Sequence, residues 1–140
     1  MTQINNIDAK IFVALKSHMD DFSECAVYYS PDVPQTTSSY DPYAIVTDVR
    51  LDFDTRFAGS LDPDEYRGIM SISVMVPMNW SYSQGIGLAS LVADHFKKGD
   101  AYSYDDCTVK VTRRSKVIGT PYQDVGMHRF PVLVYWRTSG

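Results

Sequence analysis

Cysteine is scarce in this chain: Cys25 and Cys107 stand alone, without CxxC spacing. They offer neither a disulfide framework nor a thiolate metal cage, and both thiols are expected to be reduced and partly buried. Histidine is as sparse, with His18, His95 and His128 scattered and no HExxH. A metal needs ligands converging at about 2 Å, commonly from such spacings, so no metal and no cofactor is expected. GxSxG is missing too, which leaves no nucleophile elbow and no catalytic residue to name. The longest nearly apolar run, residues 85–93, is far too short to cross a bilayer, and residues 1–5 lack the basic start of a signal peptide. A soluble protein made in the cytoplasm, with no membrane partner, is expected. The net charge of −4 shows no strong basic field, so neither nonspecific nor sequence-specific nucleic-acid binding is expected. No internal repeat or linker divides the chain.

What is present is one domain's worth of patterned sequence: 140 residues, 44% hydrophobic, enough to bury a core without staples. The clearest stretch is residues 67–99. Met70, Ile72, Val74 and Val76 make one apolar face of a strand that ends at Pro77. Ser83 is a plausible N-cap for the helix that follows. Leu88, Leu91, Val92, His95 and Phe96 fall on one stripe facing the sheet, and Gly99 supplies the stop.

An N-terminal helix is predicted over residues 5–22, with Asn5 as cap and Ile7, Ile11, Ala14, Leu15, His18 and Phe22 on one face. Residues 25–29 form a short strand, and 35–41 a polar loop. From Tyr43, apolar residues take the odd positions (Ile45, Val49, Leu51, Phe53, Phe57) and charged ones the even. That is a long strand with one charged face. Residues 58–67 connect two strands, 100–106 make an acidic turn, 107–113 alternate again, and 114–129 read as irregular. The last strand, 130–137, is apolar on both faces, as a central or subunit-covered strand would be. The expected fold is α+β: a mixed or mainly antiparallel sheet of four to five strands with two α-helices packed on one face.

Gly85-Ile86-Gly87-Leu88-Ala89-Ser90 resembles the dinucleotide fingerprint GxGxxG, but several residues separate it from the strand. The simpler reading is that small residues let the helix start lie close to the sheet or to another subunit. The candidate functional surface consists of loops. Trp80, Tyr82, Tyr102, Tyr104 and Tyr122 fall in predicted turns, where large aromatics suit interface hot spots or cap the ends of the core. Arg113, Arg114 and Lys116 form a basic turn, set against acids at Asp62, Asp64, Glu65 and 100–106. Opposite patches on one small domain suit head-to-tail contacts.

In order and pattern the chain resembles the tail-terminator-like proteins of long-tailed bacteriophages. The matching parts are the first helix, the strand from Tyr43, and residues 68–77. They continue with the helix ending in Lys97-Lys98-Gly99 and the closing Pro131-Val132-Leu133-Val134-Tyr135. The resemblance implies a structural, non-enzymatic virion protein in the tail neck region. Its partners would be itself, as a ring of six copies, the tail tube protein, and a head-completion or neck protein. Such a ring caps the head-proximal end of the tube, stops polymerisation and offers a docking face for head-tail joining. On this reading Arg56, Phe57, Asp62, Asp64, Glu65, Trp80, Tyr82, Arg113, Arg114 and Lys116 are the expected subunit or tube contacts. The alternatives are a neck connector protein and, from another class, a small ligand-binding or enzymatic domain with a polar pocket near His95 or His128.

Overall fold

The computed structural model describes residues 7–30, 41–52, 66–105, 107–119, 121–124 and 127–139. The elements run α1 (Ile7–Met19), β1 (Ala26–Tyr29), β2 (Tyr43–Asp52), β3 (Tyr66–Pro77), α2 (Tyr82–His95), β4 (Ala101–Tyr104), β5 (Cys107–Val111), β6 (Lys116–Val117), β7 (Tyr122–Asp124) and β8 (Met127–Ser139). This is an α+β fold whose strands form one mixed sheet in the order β1-β2-β3-β8-β5-β4. Only β1 and β2 run parallel among the described pairs.

β8 is the spine. One of its edges pairs with β3 from Met127 to Thr138, while the other is shared end to end by β7, β6 and β5. Its two-sided apolar pattern follows from that central position. Phe130, Val132, Val134 and Trp136 point into the main core, where they meet Met70, Ile72, Val74 and Val76 of β3. Both faces were correctly read from the alternation.

Among the described residues, eight strands stand where four to five were expected. The surplus comes from β4, in a segment read as a turn, whose Tyr-Ser-Tyr sequence pairs in a hairpin with β5, and from the two short pieces β6 and β7, in a segment read as irregular. β2 departs from its pattern in phase. The register slips between Val46 and Asp48, so the bulge at Thr47 exchanges the faces of the strand. Before it, Ala44 and Val46 enter the core; after it, Val49 packs against that core. Ile45, assigned to the core face by alternation, is buried on the other side of the sheet beside Ser73.

α2 begins two residues earlier than expected. Ser81, not Ser83, is the cap: its hydroxyl accepts from the Gln84 N–H at 3.2 Å, and the Gln84 side chain accepts from the Ser81 N–H at 2.9 Å. This capping box satisfies two donors that a helix start leaves free. The buried face of α2 is made by Gly85, Leu88, Ala89, Val92 and Ala93, with Phe96 just beyond its end. Leu91, expected on that face, is 48% exposed. A Cβ on Gly85 would come within 2.4 Å of the Phe130 ring, so glycine here sets the distance between α2 and β8. Gly87 has open space around it. α1 ends at Met19, three residues before the predicted end at Phe22. Ile11, Ala14, Leu15 and Met19 bury its apolar face against β4 and β5. The Asn5 cap lies outside the described residues.

Candidate assembly interface

Of the expected contact residues, Arg56, Phe57, Asp62, Asp64 and Glu65 lie outside the described residues. Trp80 is half-buried against the core, and Tyr102 and Tyr104 are half-buried on β4, so they close the core and are not free surface. Tyr82 is different. It is 57% exposed at the first turn of α2, with its hydroxyl donating to the Gly119 carbonyl at 2.8 Å and its ring tilted against Phe130. Met78 and Leu91 are the other large apolar side chains exposed among the described residues.

Arg113, Arg114 and Lys116 are exposed, on the turn between β5 and β6 and at the start of β6. That turn is anchored at both ends. The Thr112 N–H bonds the Tyr135 carbonyl at 3.0 Å, and the buried Ser115 hydroxyl donates to the Phe96 carbonyl at 3.2 Å. Arg113 consequently lies over the Tyr135 ring, its guanidinium carbon 3.9 Å from the centroid, a cation–π contact.

The strand register adds cations that are far apart in sequence. Arg67 of β3 stands opposite Arg137 of β8, and Arg137 opposite Lys110 of β5. One row of three basic residues therefore crosses three adjacent strands, on the face away from Trp136. Gly99 takes a left-handed φ of 92°, and its N–H bonds the Val111 carbonyl at 2.9 Å while the Val111 N–H bonds Asp100. That turn carries Lys98 to the same place. The outcome is a groove bordered by Arg67, Lys98, Lys110, Arg113 and Arg137, with Tyr135 and Ile69 in its floor and no carboxylate among its described lining residues. The sequence shows no basic field; the sheet assembles one.

A second constellation links the helices. The Nε2–H of His18 donates to the His95 carbonyl, and that of His95 to the His18 carbonyl, both at 2.6 Å. Carbonyl oxygens only accept, so each ring carries its proton on Nε2. The imidazoles stack at 4.0 Å, and Tyr102 stacks on the other side of His18 at 4.2 Å. Phe22 and Phe96 meet the stack edge-on. Burial lowers the pKa of His95, opposed by its bond to the His18 carbonyl and by the carboxylates of Asp21 and Asp100. This is a structural clamp between the C-terminal ends of α1 and α2. Sequence reading placed His18 on the α1 stripe but could not see its partner 77 residues away.

Tyr29 forms a smaller clamp, its hydroxyl donating to Asp20 at 2.6 Å, which with Lys16 holds the Asp20 carboxyl below the usual carboxylate range. Cys25 is half-buried, and desolvation pushes its thiol up to about 11. Among the described residues no group of three His, Cys, Asp or Glu side chains could hold a metal ion, and no helix is long and apolar enough to cross a membrane. The basic groove, with Arg113 over Tyr135, offers charge and aromatic surface.

No protein with a curated description matches the chain. Among solved structures, a chain from the virion of a native gene transfer agent particle superposes with a TM-score of 0.66 at 14% identity, covering 97% of this chain and 99% of its own. Another solved chain, also 14% identical, gives a TM-score of 0.62 with 96% and 94% covered. At that identity both show the fold alone. The sequence model of one family, described as phage tail terminator protein, matches residues 10–136, and the chain therefore belongs to the phage tail terminator proteins, a family of structural virion proteins.

Proposed function

We propose that this protein forms a ring, of six copies, that caps the head-proximal end of the phage tail tube. The family match over residues 10–136 carries this reading. One face of the ring repeats the contacts that a tube subunit makes; the other lacks the surface that recruits the next tube ring, so growth stops there and a head-completion protein docks. The protein acts by binding and performs no catalysis.

The fold suits such a subunit. Phe130, beneath Gly85 of α2, and Trp136, registered opposite Val111 near α1, alternate on the same side of the sheet. Both helices are accordingly taken to cover one face, leaving the other, with its cations, for neighbours. Tyr82, Arg113, Arg114 and Lys116 are the described residues proposed as subunit or tube contacts, joined by the segment holding Arg56, Phe57, Asp62, Asp64 and Glu65.

The test is loss of the gene product during particle assembly. Overlong tails are expected. Tails of normal length left unjoined to heads would instead make the protein a head-completion component.

A further inference from the structure

Most of the basic groove is left without a use by the ring reading. Arg67, Lys98, Lys110, Arg113 and Arg137 border it, five of the chain's 13 Lys and Arg residues, in a protein whose net charge is −4. Arg67, Arg137 and Lys110 face one another in register across β3, β8 and β5. Like charges directly opposite one another across strands are destabilising, so the fold keeps this row at a cost. Arg67 and Arg137 have further interactions within the chain. Lys98, Lys110 and Arg113 are exposed, and they come from three places: the turn before β4, β5 itself, and the turn after it.

The rest of the lining decides what kind of anion fits. Its exposed residues are Arg67, Lys98, Gly99, Lys110, Thr112 and Arg113. Its larger apolar members are covered: Val111 and Trp136 are buried, and Ile69 and Tyr135 are half-buried, the tyrosine beneath Arg113. A protein segment, from this chain or another, is best held where an apolar or aromatic anchor enters the centre of the contact, and lysine is depleted in such interfaces. Surfaces that hold nucleic acid are more polar and far more positive. Single strands stack their bases on exposed aromatic rings, whereas the ring of Tyr135 already carries Arg113. A duplex needs only cations facing its phosphates, and it carries one negative charge per about 1.7 Å of axis. Neighbouring strands lie about 4.8 Å apart, so the row spans about 10 Å and meets about six of those charges.

We infer that this groove binds the phosphate backbone of a nucleic acid duplex without reading its sequence. Lys98, Lys110 and Arg113 supply the charge, and the Thr112 hydroxyl adds a neutral donor. A Cβ on Gly99 would meet nothing within 4 Å, so the groove wall beside Lys98 is open to close approach. The chain belongs to a family of structural virion proteins, and nucleic acid is the polyanion that a virion holds. The inference goes beyond the ring reading and does not depend on it, because Lys98 and Lys110 are not among the proposed subunit or tube contacts.

The test is binding of a labelled duplex DNA of random sequence, read by fluorescence anisotropy across a salt series. The unchanged protein should retain the duplex at low salt and lose it steeply as salt rises, with a logarithmic slope of up to about −4.5 for five phosphate contacts. In the variant Lys98→Ala with Lys110→Ala, affinity should fall on the order of tenfold and the slope should become shallower by about 2. Lys16→Ala with Lys97→Ala, which removes cations outside the groove, should change neither. No retention by the unchanged protein, or equal affinity and slope in the groove variant, overturns the inference. So does an equal loss in the control variant, which would mean that overall charge and not the groove holds the DNA. Labelled polyglutamate bound more tightly than the duplex would make this an acidic-peptide surface, and single-stranded DNA bound more tightly would likewise overturn the duplex assignment. Should the double variant fail to fold, Lys98→Ala alone decides: it lies in a turn, and it should make the slope shallower by about 1. Assembled mass by light scattering keeps the two readings apart, since the groove variant should assemble like the unchanged protein whether or not it holds DNA.

Discussion

Replacing Gly85 and Gly87 by alanine, one at a time, separates two effects that glycine has in a helix. Both substitutions should gain about 1 kcal/mol of helix propensity, since both sites lie within α2. Only at Gly85 does the new methyl meet anything: Phe130 Cε1 at 2.4 Å and Cζ at 2.6 Å, inside the distance at which something must move. Phe130 is 2% exposed and held on the central strand, with Tyr82 against its ring, so it cannot swing into solvent. Overpacking of this kind costs about 1–3 kcal/mol. Gly85→Ala should therefore be destabilised by up to about 2 kcal/mol net, and Gly87→Ala stabilised by up to about 1 kcal/mol. Urea unfolding followed by helical circular dichroism reads the difference. With a slope of about 2 kcal/mol/M, a difference of about 2 kcal/mol separates the two midpoints by about 1 M. Repeating Gly85→Ala in a Phe130→Leu background should remove most of its penalty, because the two sites then no longer compete for the same space. Equal midpoints for the two alanine variants would refute the reasoning, since propensity alone cannot distinguish the sites.

Removing the α2 cap with Ser81→Ala should cost about 1 kcal/mol, seen as a lower urea midpoint with unchanged slope. His95 is held below its ordinary value of 6.5 by burial, so the folded state takes up a proton less readily than the unfolded chain. Its contribution to stability is whole above about 6.5 and is lost as pH falls from there through the folded-state value. The urea midpoint should consequently drop between about pH 8 and pH 5, and less steeply in His95→Gln. Cys25, with its thiol pushed up to about 11, should react with a disulfide reagent at mildly alkaline pH far more slowly in the native protein than in urea. Equal rates would show that desolvation does not protect it.

Where one face of an element is buried and the other is not, the sequence carried the structure. β3 was legible because Met70, Ile72 and Val74 alternate with Ser71 and Ser73, and the central place of β8 because Phe130, Val132, Val134 and Trp136 fill one face while Leu133 and Tyr135 make the other partly apolar too. β2 was not, because Ala44, Ile45 and Val46 are all apolar, so either phase fits and a bulge at Thr47 leaves no mark. On α2 hydrophobicity favoured Leu91, yet close approach to the sheet favours Gly85, Ala89 and Ala93, which are small enough to fit. β4 was hidden because Tyr102 and Tyr104, beside acids, look like a turn until β5 is found paired with them. Of the surface, Arg113, Arg114 and Lys116 were visible as a run, and they are exposed. The wider groove was invisible for a simple reason: Arg67, Lys110 and Arg137 lie on three separate strands, and only pairing register makes them neighbours.

The place of β8 in the sheet also governs when the molecule can exist during synthesis. β1, β2 and β3 can pair with one another as they are made, and so can β4 and β5, but the two groups share no ladder until β8 lies between them. That strand follows all the other described strands in sequence, so most non-local pairing waits for it, a topology that folds slowly. The basic row appears at the same moment, because Arg137 is what places Arg67 and Lys110 side by side. A chain interrupted before β8 would therefore lack the row as well as the fold, and only finished subunits could offer it to an assembling particle.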